Sequence, residues 1–188
     1  MNQALVLISI VLGVAITFEL ENLHRLVRAP DVRWHWAQPI FAFFALMIVL
    51  VFWWMMANRG DGRTITLGEF LPIMALMVVI VLIAAVALPD KLAGDGAGDE
   101  RLDLGEYYMA NRRYQWSLVL IVVLSIGGGW LATLFTRYGF FYGMIRGWGE
   151  WLPMLLVIWM IFADKWWKVG VGYAAMSFIP IAWLSRTL

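Results

Sequence analysis

FLPIMALMVVIVLIAAVALP occupies residues 70–89 and contains no charged side chain. About 20 apolar residues, each rising about 1.5 Å, cross a hydrocarbon core of about 30 Å, so this stretch predicts a membrane-spanning helix. A transmembrane strand would alternate polar and apolar side chains over about ten positions, which this run does not do. Further charge-free runs lie at 1–18, 34–58, 114–136, 151–163 and 169–185, giving expected spans at 4–20, 37–57, 69–89, 115–136, 149–163 and 169–185. The last two are shorter and need Trp or Lys at their ends, or a locally thinned bilayer.

Composition agrees with that reading. Of the 188 residues 63% are hydrophobic and 14% charged, and the mean hydropathy is +0.78, more apolar surface than a soluble domain carries. The fold class is therefore an all-α integral membrane protein, a bundle of about six transmembrane helices forming one domain over 1–188. The first run has no basic leader and no A-x-A-like cleavage site, so it is expected to be a retained first span. There is no cysteine, which excludes disulfides, thiolate metal sites and cysteine nucleophiles. A net charge of +1 without a long basic run argues against a nucleic-acid partner. A span bundle without a targeting segment suits a bacterial inner membrane.

Only Arg59, Arg63, Arg137, Arg146 and Arg186 of the 14 basic residues fall on one side of a six-span arrangement. The rest, including Arg25, Arg28, Arg33, Lys91, Arg101, Arg112, Arg113, Lys165 and Lys168, fall on the other. The positive-inside rule then places both termini on the non-cytoplasmic side, with 90–113 as a cytoplasmic loop. An echo supports a paired arrangement. GEFLP begins at Gly68 and GEWLP at Gly149, while RWHW begins at Arg33 and RYQW at Arg113. Both matches share an offset of roughly 80 residues, which predicts an internal repeat and three helical hairpins. In the repeated motif the glutamate suits the positive end of a helix, the aromatic residue the headgroup region, and the proline a first helical turn.

The candidate functional residues form four sets. Glu69 and Glu150 would face one another at the outer mouth of a bundle and attract cations, if they do more than start helices. Gly127, Gly128 and Gly129 interrupt the fourth run, and Gly139, Gly143 and Gly147 recur every fourth residue, which predicts close helix packing or a helix break. Glu21 and His24 have the Glu-x-x-His spacing of carboxylate-bridged metal bundles, with His35 nearby, but the motif comes once rather than twice. The competing reading is an interfacial helix end in which Glu19, Glu21, His24 and Arg25 pair with one another and with headgroups. Finally, Arg33, Arg112, Arg113 and Tyr107 suit the phosphate of an anionic lipid at the inner interface. The third-to-fourth connection divides into the flexible acidic stretch AGDGAGDE and an interfacial segment over 104–116, expected as a surface helix running into the fourth span. The acidic stretch lacks the alternating oxygen ligands of a calcium loop.

No ionisable residue falls at the middle of any run, which disfavours a conventional ion-coupled carrier and leaves an oligomeric pore or transport protein for ions or small solutes as the first expectation. A membrane-embedded enzyme or binder of a phosphorylated lipid is the second, and an accessory subunit of a membrane complex the third. No nucleophile-base pair is legible, so the sequence does not decide whether the chain is an enzyme. No cofactor is predicted beyond the metal considered at Glu21, His24 and His35. The expected partners are the bilayer, anionic lipid and further copies of the chain.

Overall fold

The structure is a computed structural model that describes residues 3–58, 66–90 and 102–184; of Gln3, Ala4, Glu150 and residues 179–184 only the backbone is described. The acidic stretch AGDGAGDE, with Lys91, Arg101, Arg59, Arg63 and Arg186, lies outside the described residues, as does the Glu150 side chain. Seven helices carry the chain. They are α1 (Gln3–Arg28), α2 (Ala37–Ala57), α3 (Leu67–Ala87), α4 (Leu104–Tyr138), α5 (Phe140–Arg146), α6 (Trp148–Phe162) and α7 (Trp166–Leu184). Among the described residues α1 to α4 are long and apolar enough to cross a membrane, and α5 with α6 adds a fifth if that pair, bent by 73°, is one span. Exposed side chains such as Leu67, Phe140 and Phe141, the last 79% accessible, suit lipid rather than water as the surrounding solvent.

The chain divides into two compact units, Met1–Asn111 and Arg112–Leu188, with the boundary inside α4. In the first unit α1, α2 and α3 pack on one another. The α1 core stripe reads Ile8, Leu12, Ala15, Glu19, Leu26, steps of three, four and seven residues that keep one helical face inward. Helix α1 therefore continues well past position 20, because Leu26 still has a buried place to fill. It stops before Pro30, whose ring disfavours a helical conformation at Ala29. Arg25 and Arg28 sit in the last turn, where the helix dipole favours cations.

Helix α3 begins with a capping box. The Glu69 amide donates to Thr66 Oγ1 at 3.4 Å, and the Thr66 amide donates back to Glu69 Oε2 at 3.2 Å. The repeated motif occupies equivalent helix positions. Gly68 and Glu69 are the second and third residues of α3, and Gly149 and Glu150 are the second and third of α6. The echo thus marks two helix starts, of which α3 is capped by the Thr66 side chain and α6 follows Gly147 without a side-chain cap.

Two short strands join the connections of this unit. β1 (Val32–Arg33) pairs in parallel with β2 (Leu102–Asp103), Val32 opposite Leu102 and Arg33 opposite Asp103. Asp103 then starts α4, its Oδ1 accepting from the amides of Gly105 at 2.8 Å and Glu106 at 3.2 Å, while Oδ2 lies 3.5 Å from Arg33. The Glu106 amide, with help from that of Gly105 and from the Arg33 charge, holds the Asp103 carboxyl below its ordinary range. A depressed carboxyl contributes stability above its unfolded value of about 3.9, and that contribution is lost as pH falls through the lower folded value. Asp103→Ala is accordingly expected to cost about 1 kcal/mol in thermal unfolding near neutral pH. The gap from the parent should close in acid, and a gap that persists there would refute this capping role.

In the second unit α4 runs without interruption through Gly127, Gly128 and Gly129, so the expected break is not present. A lipid-exposed break would strand backbone N–H and C=O groups, and staying helical satisfies them. A Cβ added at Gly128 or Gly129 would meet nothing within 4 Å. The later glycines differ. Gly139, at φ 76°, makes the turn out of α4, a conformation other residues adopt at a cost. A Cβ on Gly143 would stand 2.5 Å from the Phe135 ring, and one on Gly147 would stand 2.7 Å from Leu131 and 2.8 Å from the Gly143 carbonyl. Small residues here let α5 fold against the end of α4.

Candidate functional site

Glu19 is the least ordinary residue of the first unit. It occupies a core position of α1, is 4% exposed, and its Oε2 has no hydrogen-bond partner among the described residues. Gln38, on the first turn of α2, is fully buried; its Nε2 donates to the Ala87 carbonyl at the end of α3, while its Oε1 is also left without a partner. Two orphaned acceptors therefore lie inside one bundle.

The helix register relates them. Trp53 Nε1 donates to Ser9 Oγ at 3.1 Å, which fixes the level of antiparallel α1 and α2. Glu19 lies ten residues on from Ser9, and Gln38 stands on the first turn of α2, toward the same end of the helix pair. Glu19 is about 13 Å from the Arg28 end of its helix and follows directly on the charge-free run 1–18, toward the polar end of the apolar segment.

The residues singled out from sequence are distributed otherwise. Glu69 is exposed and engaged in the capping box. Glu21 is exposed and pairs with Arg25 at 2.5 Å, and His24 is exposed one residue before that arginine. His35 is half-buried, its Nδ1 accepting from the Ala37 amide at 3.4 Å, with its ring against the position where a Gly105 Cβ would stand. Among the described residues no group of three or more His, Asp or Glu is placed to hold a metal ion.

Of the phosphate-binding set, Arg33 pairs with Asp103, and the Tyr107 hydroxyl donates to the Val86 carbonyl at 3.2 Å. In the second unit Arg112 is buried, with Nε donating to the Ile161 carbonyl at 3.4 Å in the last turn of α6, where the helix dipole favours a cation. Arg113, next to it, is exposed. Between α6 and α7 the Lys168 ammonium pairs with Asp164 at 2.5 Å, and this hydrogen bond holds the Asp164 carboxyl below its usual range.

Glu19, Gln38 and, in the second unit, the buried Gln115 are polar residues that sequence reasoning misplaces or passes over. Glu19 was assigned to an interfacial cluster because charged residues follow it. The signal that could have found it is its place on the Ile8, Leu12, Ala15, Leu26 stripe. Gln38 follows an apolar stretch's first residue, and its burial depends on Ala87, far away in sequence. Comparison of the chain with protein families, with curated proteins and with solved structures found no match.

Proposed function

We propose that this chain is a membrane transport protein for ions or small solutes, and that the α1–α3 bundle is its working part. One observation carries the reading: a carboxyl group, Glu19, is buried without a partner inside helices apolar enough to cross a membrane. Ionisable groups at such positions are expensive, and pathways and relays are where membrane proteins retain them. No ionisable residue lies at the middle of a charge-free run, and Glu19, one residue past the first run, is the ionisable group that burial brings into this bundle.

The wider arrangement we propose is six spans in three hairpins with both termini on the non-cytoplasmic side of a bacterial inner membrane. Several copies would work together, with anionic lipid around the exposed Arg113. The packing of Gly143 and Gly147 onto α4 leaves Gly128 and Gly129, which have open space beside them, as the surface for a second copy.

The purified chain in lipid vesicles should dissipate an imposed proton, sodium or potassium gradient, read with an entrapped indicator dye, faster than empty vesicles do. Glu19→Gln, which keeps the shape and removes the charge, should return the rate to that of empty vesicles. Equal rates for parent and variant would overturn the role of Glu19, and no flux from the parent would overturn the transport reading.

A further inference from the structure

Among the described residues no charged group faces Glu19 from the helices packed against it. Helix α2 carries no titratable residue, and that of α3 is Glu69, exposed in its first turn and bound in the capping box. On α1 itself Glu21, His24, Arg25 and Arg28 are exposed, with Glu21 and Arg25 paired to each other. Elsewhere among the described residues of the unit Asp31, Arg33, His35, Asp90 and Asp103 lie on connections, Glu106 is exposed in the first turn of α4, the Tyr107 hydroxyl is engaged by Val86, and Tyr108 is buried on α4.

An ionised carboxylate removed from water needs a counter-charge or several hydrogen-bond donors. Glu19 Oε2 has neither, and the one neighbouring amide whose donors are known, that of Gln38, is directed to Ala87. The alternative ligand, a divalent metal ion, prefers several converging side-chain ligands. Among the described residues no set of three acidic or histidine side chains supplies them. A proton needs a single oxygen.

We infer that Glu19 is a proton-binding site. In the closed bundle it is the neutral acid, with an O–H bond formed to a proton delivered from water at the Arg28 end of α1. When the bundle opens to water that bond breaks, the proton returns to water, and the carboxylate remains; no electrons are transferred. Gln38 Oε1, an acceptor lying toward that same end, is left to take a hydrogen bond from a water carrying the proton inward. This makes the proton the transported or coupling ion, a step that rests on the transport reading above.

The test is infrared difference spectroscopy of the full chain in lipid at neutral pH, comparing the parent with Glu19→Gln and Glu19→Asp. A protonated-carboxyl C=O band that shifts in heavy water should be present in the parent, absent from Glu19→Gln and displaced in Glu19→Asp. The Asp variant guards against misfolding, since a displaced band requires an intact bundle. Absence of the band from the parent, or its persistence in Glu19→Gln, would overturn the inference. Proton flux in vesicles separates the two proposals. The band without any ion flux would retain the proton site and remove the transport reading. Sodium or potassium flux that needs Glu19, without the band, would retain transport and remove the proton site.

Discussion

Glu19→Leu should make the protein more stable while abolishing its flux. Leucine is close to glutamate in volume and matches Ile8, Leu12 and Leu26 on the same buried stripe. The substitution removes a buried carboxyl with an unpaired oxygen, a desolvation cost of about 1–3 kcal/mol, and leaves no orphan behind because nothing in the protein was bonded to that oxygen. At this chain length each kcal/mol corresponds to roughly 2–4 °C in Tm. The measurement is thermal unfolding in mild detergent, with Glu19→Ala as the contrast, since its smaller side chain would leave a cavity and offset the gain. A residue kept at the expense of stability is one retained for activity. If Glu19→Leu is instead destabilising, the carboxyl has a structural partner, and its reading as a functional group fails.

The helices were legible to different degrees, for identifiable reasons. The runs 34–58 and 70–89 mark α2 and α3 closely, because in both the apolar character and the helix end together: Asn58 terminates one, and Pro89 follows the other. At α1 and α4 the first charged residues were read as span ends, yet both helices continue through them. Backbone hydrogen bonding does not depend on side-chain polarity, and α4, at 35 residues and about 52 Å, exceeds any hydrocarbon core. The segment over 104–116, expected to form a surface helix running into the fourth span, is the start of that same helix.

The β1–β2 pairing left no trace in sequence. It involves two residues per strand, Val32 with Arg33 and Leu102 with Asp103, separated by most of the first unit. Glu19 shows the opposite failure. Its position on a core stripe was readable, but its neighbours Glu21, His24 and Arg25 suggested an aqueous surface, and local charge outweighed periodicity. Gln38 could not have been recognised at all without Ala87 beside it.

Trp116→Ala should produce the largest loss of stability in the second unit. Trp116 is fully buried on α4, and its ring lies 5.8 Å from that of Tyr173 on α7 at 59°, the tilted arrangement aromatic pairs favour. Truncating a buried tryptophan costs about 3–5 kcal/mol in soluble proteins. In a membrane the lower end applies, because lipid solvates a released indole nearly as well as the protein interior does, leaving the cavity and lost dispersion contacts as the cost. Trp116→Phe should lose less, since a ring still reaches Tyr173. Leu124→Ala on the same helix, at an exposed position, should stay within about 0.5 kcal/mol of the parent. Unfolding of the detergent-solubilised variants, followed by tryptophan fluorescence and far-ultraviolet circular dichroism, would rank them. Should Trp116→Ala prove no worse than Leu124→Ala, the contact between α4 and α7 contributes little, and the core of this unit must rest on α6 and α7 alone.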